Sequence, residues 1–249
     1  MDEPIAIVLA AGMGTRMKSD LPKVLSQVLG RPMIEFVLDA LEAAGVARII
    51  AVVGYKAEDV KIALCGRKNV QYALQSERLG TGHAVKMARD FLQNHDGPVV
   101  VLAGDSPMVQ AGSLCKLLEH FPEERPACLM GTLHKADPQG LGRIVRDEAG
   151  EFVGIVEDKD ATPEQRRLTE VNMSTYIFDC RELLHALDEL KNENRQREYY
   201  LTDCPGILRA EGKRVQAIPV LEACESLSIN TADELGIVEA EMRKMGYKG

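Results

Sequence analysis

The sequence predicts an α/β fold with a mainly parallel, mixed central sheet and helices on both faces. Apolar runs with strand character alternate with segments of helical periodicity through the first half of the chain. A glycine-rich loop follows the first apolar run, and an acidic residue follows a later one. The carboxyl ends of parallel strands share one edge of a sheet, so both features are expected at a ligand crevice there.

The first half of the chain has the regular order of a Rossmann-like sheet. Strands are predicted at Ile5–Ala10, Arg48–Val53, Val70–Leu74 and Pro98–Ala103, and helices at 32–44, 57–64, 81–92 and 111–120. Because a helix follows each strand, neighbouring strands are expected to run parallel.

The second half is richer in strands joined by turns. Strands are predicted at 127–133, 142–146, 152–156, 171–178 and 215–219, helices at 181–190, 199–211 and 232–245, and a polar loop at 192–197. No linker rich in Gly, Pro or Ser separates the halves, so residues 1–249 are expected to form a single domain with halves at about 1–125 and 126–249.

Composition excludes several classes of function. The net charge of −8 argues against non-specific binding to nucleic acid or an anionic membrane. The sequence has no Trp and only 4% aromatic residues, which argues against a stacking platform for single strands. No signal peptide or membrane-spanning run is predicted. Six cysteines without a C-x-x-C pair indicate reduced thiols in a cytoplasmic protein.

The loop after the first strand reads Leu-Ala-Ala-Gly-Met-Gly-Thr-Arg-Met over residues 9–17. Gly12 and Gly14 allow backbone amides to approach a ligand closely, and Arg16 and Lys23 add two cations, with Pro22 stiffening the approach to Lys23. This combination predicts a phosphate cradle. The alternative is a glycine-rich surface turn.

Asp105 lies in Gly-Asp-Ser-Pro, directly after the apolar strand Pro98–Ala103. A carboxylate fixed at a strand end suits Mg²⁺, which takes a few protein oxygens together with phosphate oxygens. The alternative is an Asp that serves a turn or a helix N-cap.

Residues 75–84 follow a strand and open a helix. Gln75 and Thr81 offer hydrogen bonds and Gly80 permits close approach, a set that suits recognition of a planar base edge. His83 could serve acid–base chemistry, but a structural hydrogen bond at the helix start is the favoured interpretation.

Polar residues in the second half could read a sugar. Glu157 and Asn172 each border an apolar stretch, and together could contact sugar hydroxyls or an acetamido group. Asp158 is interpreted as part of a solvated charged turn. Asn230, taken alone, is an N-cap candidate for the last helix. The sequence has no G-x-S-x-G elbow and no H-E-x-x-H pattern, so chemistry through anions, Mg²⁺ and positioning is expected, as in phosphoryl transfer.

Taken in order, these motifs resemble the sugar-phosphate nucleotidylyltransferases, in particular the uridylyltransferase domain of bacterial N-acetylglucosamine-1-phosphate uridylyltransferases. The matching segments are 9–17, 21–23, 75–84, 104–105, 140–144, 157–162, 170–172, 198–203 and 229–230, so the resemblance covers nearly the whole chain. It implies the nucleotide-diphospho-sugar transferase fold, with a nucleotide-binding first half and a sugar-binding second half.

The resemblance also implies roles for residues at matching positions. Phosphates would be held by Gly12, Gly14, Arg16 and Lys23, the last two as catalytic residues. The uracil would be surrounded by Leu9, Ala11, Gln75, Gly80 and Thr81. The amino sugar would contact Gly140, Glu157 and Asn172, and Mg²⁺ would be bound by Asp105 and Asn230.

The implied reaction joins UTP and N-acetylglucosamine 1-phosphate into UDP-N-acetylglucosamine with release of pyrophosphate. Met173 and Ser174 stand where the family has Thr-Gly, which leaves open another sugar 1-phosphate, or dTTP as donor. A weakly catalytic UDP-sugar-binding regulator is a further alternative. No hexapeptide periodicity of the acetyltransferase β-helix of the bifunctional enzymes is found in these residues, so their β-helix trimer is not expected and the oligomeric state stays open.

Overall fold

The computed structural model describes residues 2–14, 20–229 and 231–248, apart from the side chain of Ala232. Its main sheet has the strands β1 (Ile5–Ala10), β4 (Arg48–Val53), β5 (Val70–Leu74), β6 (Pro98–Ala103), β7 (Cys128–His134), β8 (Gly142–Arg146), β9 (Phe152–Val156), β10 (Glu170–Asp179) and β11 (Val215–Ile218). A small hairpin pairs β2 (Gln27–Val28) with β3 (Arg31–Pro32).

Helices flank the sheet. Their bounds are α1 (Met33–Ala43), α2 (Ala57–Ala63), α3 (Thr81–Lys86), α4 (Ala111–Glu124), α5 (Cys180–Glu189), α6 (Cys204–Ala210) and α7 (Ala232–Lys244).

The order of strands places the site. Along the sheet the order is β11–β7–β10–β6–β1–β4–β5, and β8 joins β10 to β9. Strands β5, β4, β1 and β6 are parallel, whereas β10 runs antiparallel to β6 and β7. The beginning of β10 therefore lies at the same edge of the sheet as the carboxyl ends of β1, β5 and β6. This arrangement confirms the predicted mixed, mainly parallel α/β sheet.

Alternate residues of each central strand enter opposite cores, as the two-residue period of a strand requires. Ile5 and Ile7 of β1 pack in one core with residues of α3 and α5, and Ala6 and Val8 pack in the other with residues of α1 and α4. A third apolar cluster joins α7 to α1 and the hairpin, and its members are Val28, Leu29, Met33, Phe36, Met108, Ile229, Val238 and Met242.

Several predicted helix bounds were wrong. The helix at 81–92 ends as α3 at Lys86 and is followed by a separate 3₁₀ turn, Arg89–Phe91. The helix at 199–211 starts only at Cys204. Tyr199 bonds to the loop before α3, Leu201 bonds to the first residue of α3, and Leu201–Asp203 form a separate 3₁₀ turn. Helix α4 continues to Glu124, past the predicted end at 120.

Among the helices of the described part of the chain, none is long and apolar enough to cross a membrane.

Candidate active site

The loop after β1 folds back on the segment that carries Lys23. The Lys23 amide donates to the Gly12 carbonyl at 3.3 Å. Gly14 has a positive φ of 69°, and a Cβ there would lie 2.8 Å from Lys23 Cβ. Glycine is therefore required at position 14 both by conformation and by space. Arg16, the second predicted cation of this loop, lies outside the described residues.

A cation and a carboxylate meet where β1 and β6 end. The Gly104 amide donates to the Leu9 carbonyl at 2.9 Å and so holds the turn after β6 against β1. Asp105 follows in this turn, and its Oδ2 lies 2.5 Å from Lys23 Nζ. Asp105 thus sits in a turn and presents its carboxylate to the segment that carries Lys23, and its role as a Mg²⁺ ligand stays a prediction.

Gln75 is buried just after β5, and its side chain bonds to the loop that connects β5 to α3. Its Nε2 donates to the Gly80 carbonyl at 3.1 Å and lies 3.0 Å from His83 Nδ1. Because an amide nitrogen carries two donors and no acceptor, His83 Nδ1 accepts the second bond. The structural interpretation of His83 fits this geometry.

The segment 198–201 packs against the same loop and forms hydrogen bonds with it. Gly82 N donates to the Tyr199 carbonyl at 2.8 Å, and Tyr199 N donates to the Leu79 carbonyl at 2.7 Å. Leu201 N donates to Thr81 Oγ1 at 3.0 Å. A Cβ on Gly80 would lie 2.5 Å from the Tyr199 carbonyl oxygen, and Gly80 has a φ of 109°. We refer to these paired stretches, 79–82 and 199–201, as the clasp.

The three loops enclose a cavity of about 280 Å³. Its lining includes eight residues that the sequence singled out: Leu9, Ala11, Gly12, Lys23, Gln75, Gly80, Thr81 and Asp105. Val24, Arg78 and Glu198 also line it and were not predicted. Arg78 is a cation within the motif 75–84, which is the signal that could have identified it.

This cavity fits Mg²⁺ as a partner of bound phosphate. Among the described residues, no group of three or more His, Cys, Asp or Glu side chains could hold a metal ion alone. Mg²⁺ ordinarily takes one or two carboxylates plus substrate phosphate oxygens. Asp105 meets that requirement, because its carboxylate is partly exposed and lies beside Lys23 of the segment that packs on the glycine-rich loop after β1. Asn230, the second predicted ligand, lies outside the described residues.

Glu157 lies beyond the end of β9 and lines a second cavity, of about 480 Å³, together with Asp160, Tyr200 and Asp203. Thr202 Oγ1 donates to Glu157 Oε1 at 3.0 Å. Burial raises the pKa of Glu157, as does the charge of Asp160, and the Thr202 bond only partly offsets them. Burial also raises the pKa of Asp203, with Glu157 contributing. The segment 198–203 thus contributes to both cavities, a role that its sequence did not reveal.

Asn172 lies at the start of β10, where the chain bulges. Its Oδ1 accepts from Ser174 N at 3.2 Å, and its Nδ2 donates to Tyr176 Oη at 2.7 Å. Gly142 is its partner on β8. The Asn172 amide is therefore buried and held by two hydrogen bonds, and it lies at the same edge of the sheet as the glycine-rich loop after β1.

Gly140 does not line either of these cavities. It lies in a third one, beside Leu227 and Val238, between the β7–β8 connection and α7. The last helix is capped by Thr231, whose side chain accepts from Glu234 N, so the N-cap alternative for Asn230 was wrong.

Asp158 is not the solvated charge that the sequence suggested. Its Oδ1 accepts from the Arg143 guanidinium at 3.0 Å, and the Arg143 side chain is only 2% exposed. A buried cation requires a partner, which the linear sequence does not identify because the two residues meet only when β8 pairs with β9.

Comparisons with known proteins identify the family of this chain. The family model for nucleotidyl transferases matches residues 5–220. The chain is 45% identical over 239 residues to the bifunctional protein GlmU of Brevibacillus brevis, covering 96% of this chain and 51% of that protein. It is 44% identical to the protein of the same name from Exiguobacterium sibiricum, covering 96% and 53%. The chain therefore spans about half the length of the curated relatives that it matches.

A solved structure shares the fold. A putative glucose-1-phosphate thymidylyltransferase from Bacillus anthracis, in complex with a sucrose, superposes with a TM-score of 0.80 at 20% identity, over 99% of this chain and 98% of that one. At this identity the likeness concerns the fold. With a family model that covers most of its length, the chain belongs to the nucleotidyl transferase family and is a nucleotidyltransferase.

Proposed function

We propose that this chain transfers UMP from UTP to N-acetylglucosamine 1-phosphate with the aid of Mg²⁺. The observation that carries the proposal is the cavity in which the Lys23–Asp105 pair, the glycine-rich loop and the Gln75–Thr81 loop converge. The similarity to the GlmU proteins and the resemblance of the ordered motifs support it.

In this proposal the site residues have three roles: binding of the phosphates, the uracil and the sugar. Gly12 and Gly14, with the cations Arg16 and Lys23, hold the phosphates. Leu9, Ala11, Gln75, Gly80 and Thr81 surround the uracil. The buried Glu157 and Asn172 accept and donate hydrogen bonds to the amino sugar, and Gly140 is a further sugar contact.

An oxygen of the sugar 1-phosphate attacks the α-phosphorus of UTP, and a new O–P bond forms. The bond between the α-phosphorus and the bridging oxygen breaks, and pyrophosphate leaves with that electron pair. Lys23 supplies positive charge close to the phosphates, where charge stabilisation is the largest contribution to catalysis. A Mg²⁺ held by Asp105 and Asn230 neutralises phosphate charge when bound.

The direct test is pyrophosphate release by the purified chain with UTP, Mg²⁺ and N-acetylglucosamine 1-phosphate. The Asp105→Ala variant is the matched control, because it removes the carboxylate and keeps the turn. Turnover that depends on Mg²⁺ and is lost in Asp105→Ala supports the proposal. Wild-type turnover no higher than that of Asp105→Ala would overturn it.

A panel of substrates tests the identity of donor and acceptor. UTP is compared with dTTP, and N-acetylglucosamine 1-phosphate with glucose 1-phosphate and galactose 1-phosphate. The highest kcat/KM is expected for UTP with the N-acetylated sugar. A higher value for another pair would keep the nucleotidyl transfer and reject the assigned substrates, with Met173 and Ser174 as the residues to examine first. Tight UDP-sugar binding without turnover would instead indicate a regulatory binding protein.

A further inference from the structure

We infer that Tyr176 and Ser174 are positioning residues that lock the Asn172 amide in the one orientation that reads an acetamido group of the acceptor. The inference rests on the proposed function, because it assigns the acceptor specificity of the same site to two residues that no motif marks.

A bulge in β10 creates the arrangement. Asn172 pairs with Thr132 of β7, but the next pair joins Thr175 to Gly131, so Met173 and Ser174 have no partners in the ladder. Ser174 adopts a φ of 55°, in the left-handed region. The extra residues of the bulge thus convert a ladder hydrogen bond into a bond from Ser174 N to Asn172 Oδ1.

The orientation of the amide follows from chemistry. A backbone N–H can only donate, so the Asn172 atom that faces Ser174 N at 3.2 Å must be the oxygen. The Nδ2 group then faces Tyr176 Oη at 2.7 Å and donates to it. Tyr176 is fully buried and its ring packs against Phe178, so the hydroxyl has little freedom to move away. Asn172 is therefore fixed at both ends of its amide.

The fixed amide keeps half of its bonding capacity. An Asn side chain has two N–H donors and an oxygen that accepts two bonds. With one donor and one lone pair engaged, one of each is left for a ligand. An acetamido group offers the matching carbonyl acceptor and N–H donor, whereas the hydroxyl that replaces it in glucose 1-phosphate cannot meet both with the same geometry.

The backbone of Ser174 is unusual for a residue with a side chain. A positive φ normally favours glycine, the residue that the family has here, but Ser174 adopts a φ of 55°. Its contribution to the arrangement is the backbone amide that bonds to Asn172.

Tyr176→Phe tests the inference, because it deletes one oxygen and keeps the ring. The KM for N-acetylglucosamine 1-phosphate is expected to rise by about three- to tenfold, the size of one lost neutral hydrogen bond, while the KM for UTP stays unchanged. Preference over glucose 1-phosphate is expected to fall by the same factor. Because KM does not depend on the folded fraction, a partial loss of stability does not obscure this result.

Tyr247→Phe is the matched control. It deletes the same atom from a tyrosine whose ring packs against Phe36 after the last helix, so both KM values are expected to stay within about twofold. If Tyr176→Phe alone fails to fold, the pair Tyr176→Phe/Ser174→Gly replaces it, because glycine relieves the positive φ at position 174, and Ser174→Gly is then the reference protein.

Equal changes in both KM values, or a loss of melting temperature with no change in acceptor preference, would overturn the positioning role. A wild-type chain without turnover on any sugar phosphate would overturn the proposed function itself, so the two failures are distinguishable.

Discussion

At the scale of single residues, we expect the charge of Lys23 to contribute to turnover. Its ammonium pairs with Asp105 at 2.5 Å, and its Cβ supports Gly14. Lys23→Ala keeps the Cβ and removes the charge. Turnover is therefore expected to fall by about 10²–10³, as for the loss of one preorganised charge-stabilising group, with little change in melting temperature.

Steady-state assays and thermal unfolding check this prediction. Lys68→Ala, on an exposed position between α2 and β5, is the control and is expected to leave both quantities unchanged. A melting temperature that falls in step with activity would show that Lys23 acts through folding instead.

The raised pKa of Glu157 predicts that binding of the sugar phosphate depends on pH. Burial raises the pKa of this carboxyl, and the Thr202 hydrogen bond lowers it again in part. Since the ionised form is the hydrogen-bond acceptor, kcat/KM for the sugar phosphate is expected to fall as the pH drops into a range above that of ordinary carboxyl groups.

Two variants test whether Glu157 causes the fall in kcat/KM at low pH, the acidic limb of the pH profile. Thr202→Val removes the bond that lowers the pKa, so the limb is expected to move to higher pH, and Glu157→Gln is expected to abolish it. Titration of the substrate phosphate affects all three proteins alike and cancels in the comparison. An identical profile for wild type and Thr202→Val would contradict the assignment.

The clasp is the element that holds the Gln75–Thr81 loop. Gly80→Ala would place a methyl group 2.5 Å from the Tyr199 carbonyl at a φ of 109°. The free energy of unfolding is expected to fall by about 1–3 kcal/mol, and the KM for UTP to rise strongly, because the loop must move away from its brace.

Gly112→Ala provides the contrast. A Cβ at this position of α4 meets nothing within 4 Å, so a small gain of about 0.5–1 kcal/mol is expected from helix propensity. Denaturant titration and UTP kinetics on both variants make the comparison. A normal UTP KM in Gly80→Ala would mean that the clasp does not shape the nucleotide site.

The β8–β9 hairpin depends on its ion pair. Asp158→Ala leaves the Arg143 guanidinium buried without its carboxylate, and the Arg143 Nε is buried without a hydrogen-bond partner among the described residues. A loss of about 2 kcal/mol is expected, less than for fully buried pairs because Asp158 is partly exposed.

Urea titration measures this loss, and Glu148→Ala, exposed in the turn of the same hairpin, is the control. The double variant Arg143→Met/Asp158→Ala is expected to recover part of the stability, because no charge is then left unpaired. If the double variant loses as much stability as the single variants Arg143→Met and Asp158→Ala lose together, the two residues are not coupled.

The elements differ in how well their sequences define them. The central strands were predicted within a residue or two, because runs of apolar, mainly β-branched residues between turn signals leave few alternatives. The helix start at Cys204 was missed since the residues before it belong to the clasp, a tertiary contact between segments far apart in sequence. The loops at strand ends were predictable because topology alone brings them together. The Arg143–Asp158 pair and the Tyr176 hydroxyl were not, since neither partner carries a local signal.

The third apolar cluster concerns the whole molecule. Met242 of α7 is fully buried against residues of α1 and the β2–β3 hairpin, and Glu239 accepts from Leu29 N at 2.9 Å. Met242→Ala is expected to cost about 2–4 kcal/mol through the cavity that it leaves. For a chain of this length, that lowers the melting temperature by roughly 2–4 °C per kcal/mol.

Met245→Ala is the control, because this side chain is 40% exposed and should change stability by no more than about 0.5 kcal/mol. Scanning calorimetry checks both variants. A single transition shifted to lower temperature is expected for Met242→Ala. Equal melting temperatures for the two variants would mean that α7 packs loosely on the rest of the protein.

The clasp also makes a prediction about amide hydrogen exchange. Its backbone bonds join residue 82 to residue 199 and residue 199 to residue 79, across 117 and 120 positions of the sequence and outside any strand ladder. The amides of Gly82 and Tyr199 can therefore exchange with solvent only when the two stretches separate. Their protection factors should match each other and rise together when nucleotide fills the cavity, so these two amides would record the opening of the site.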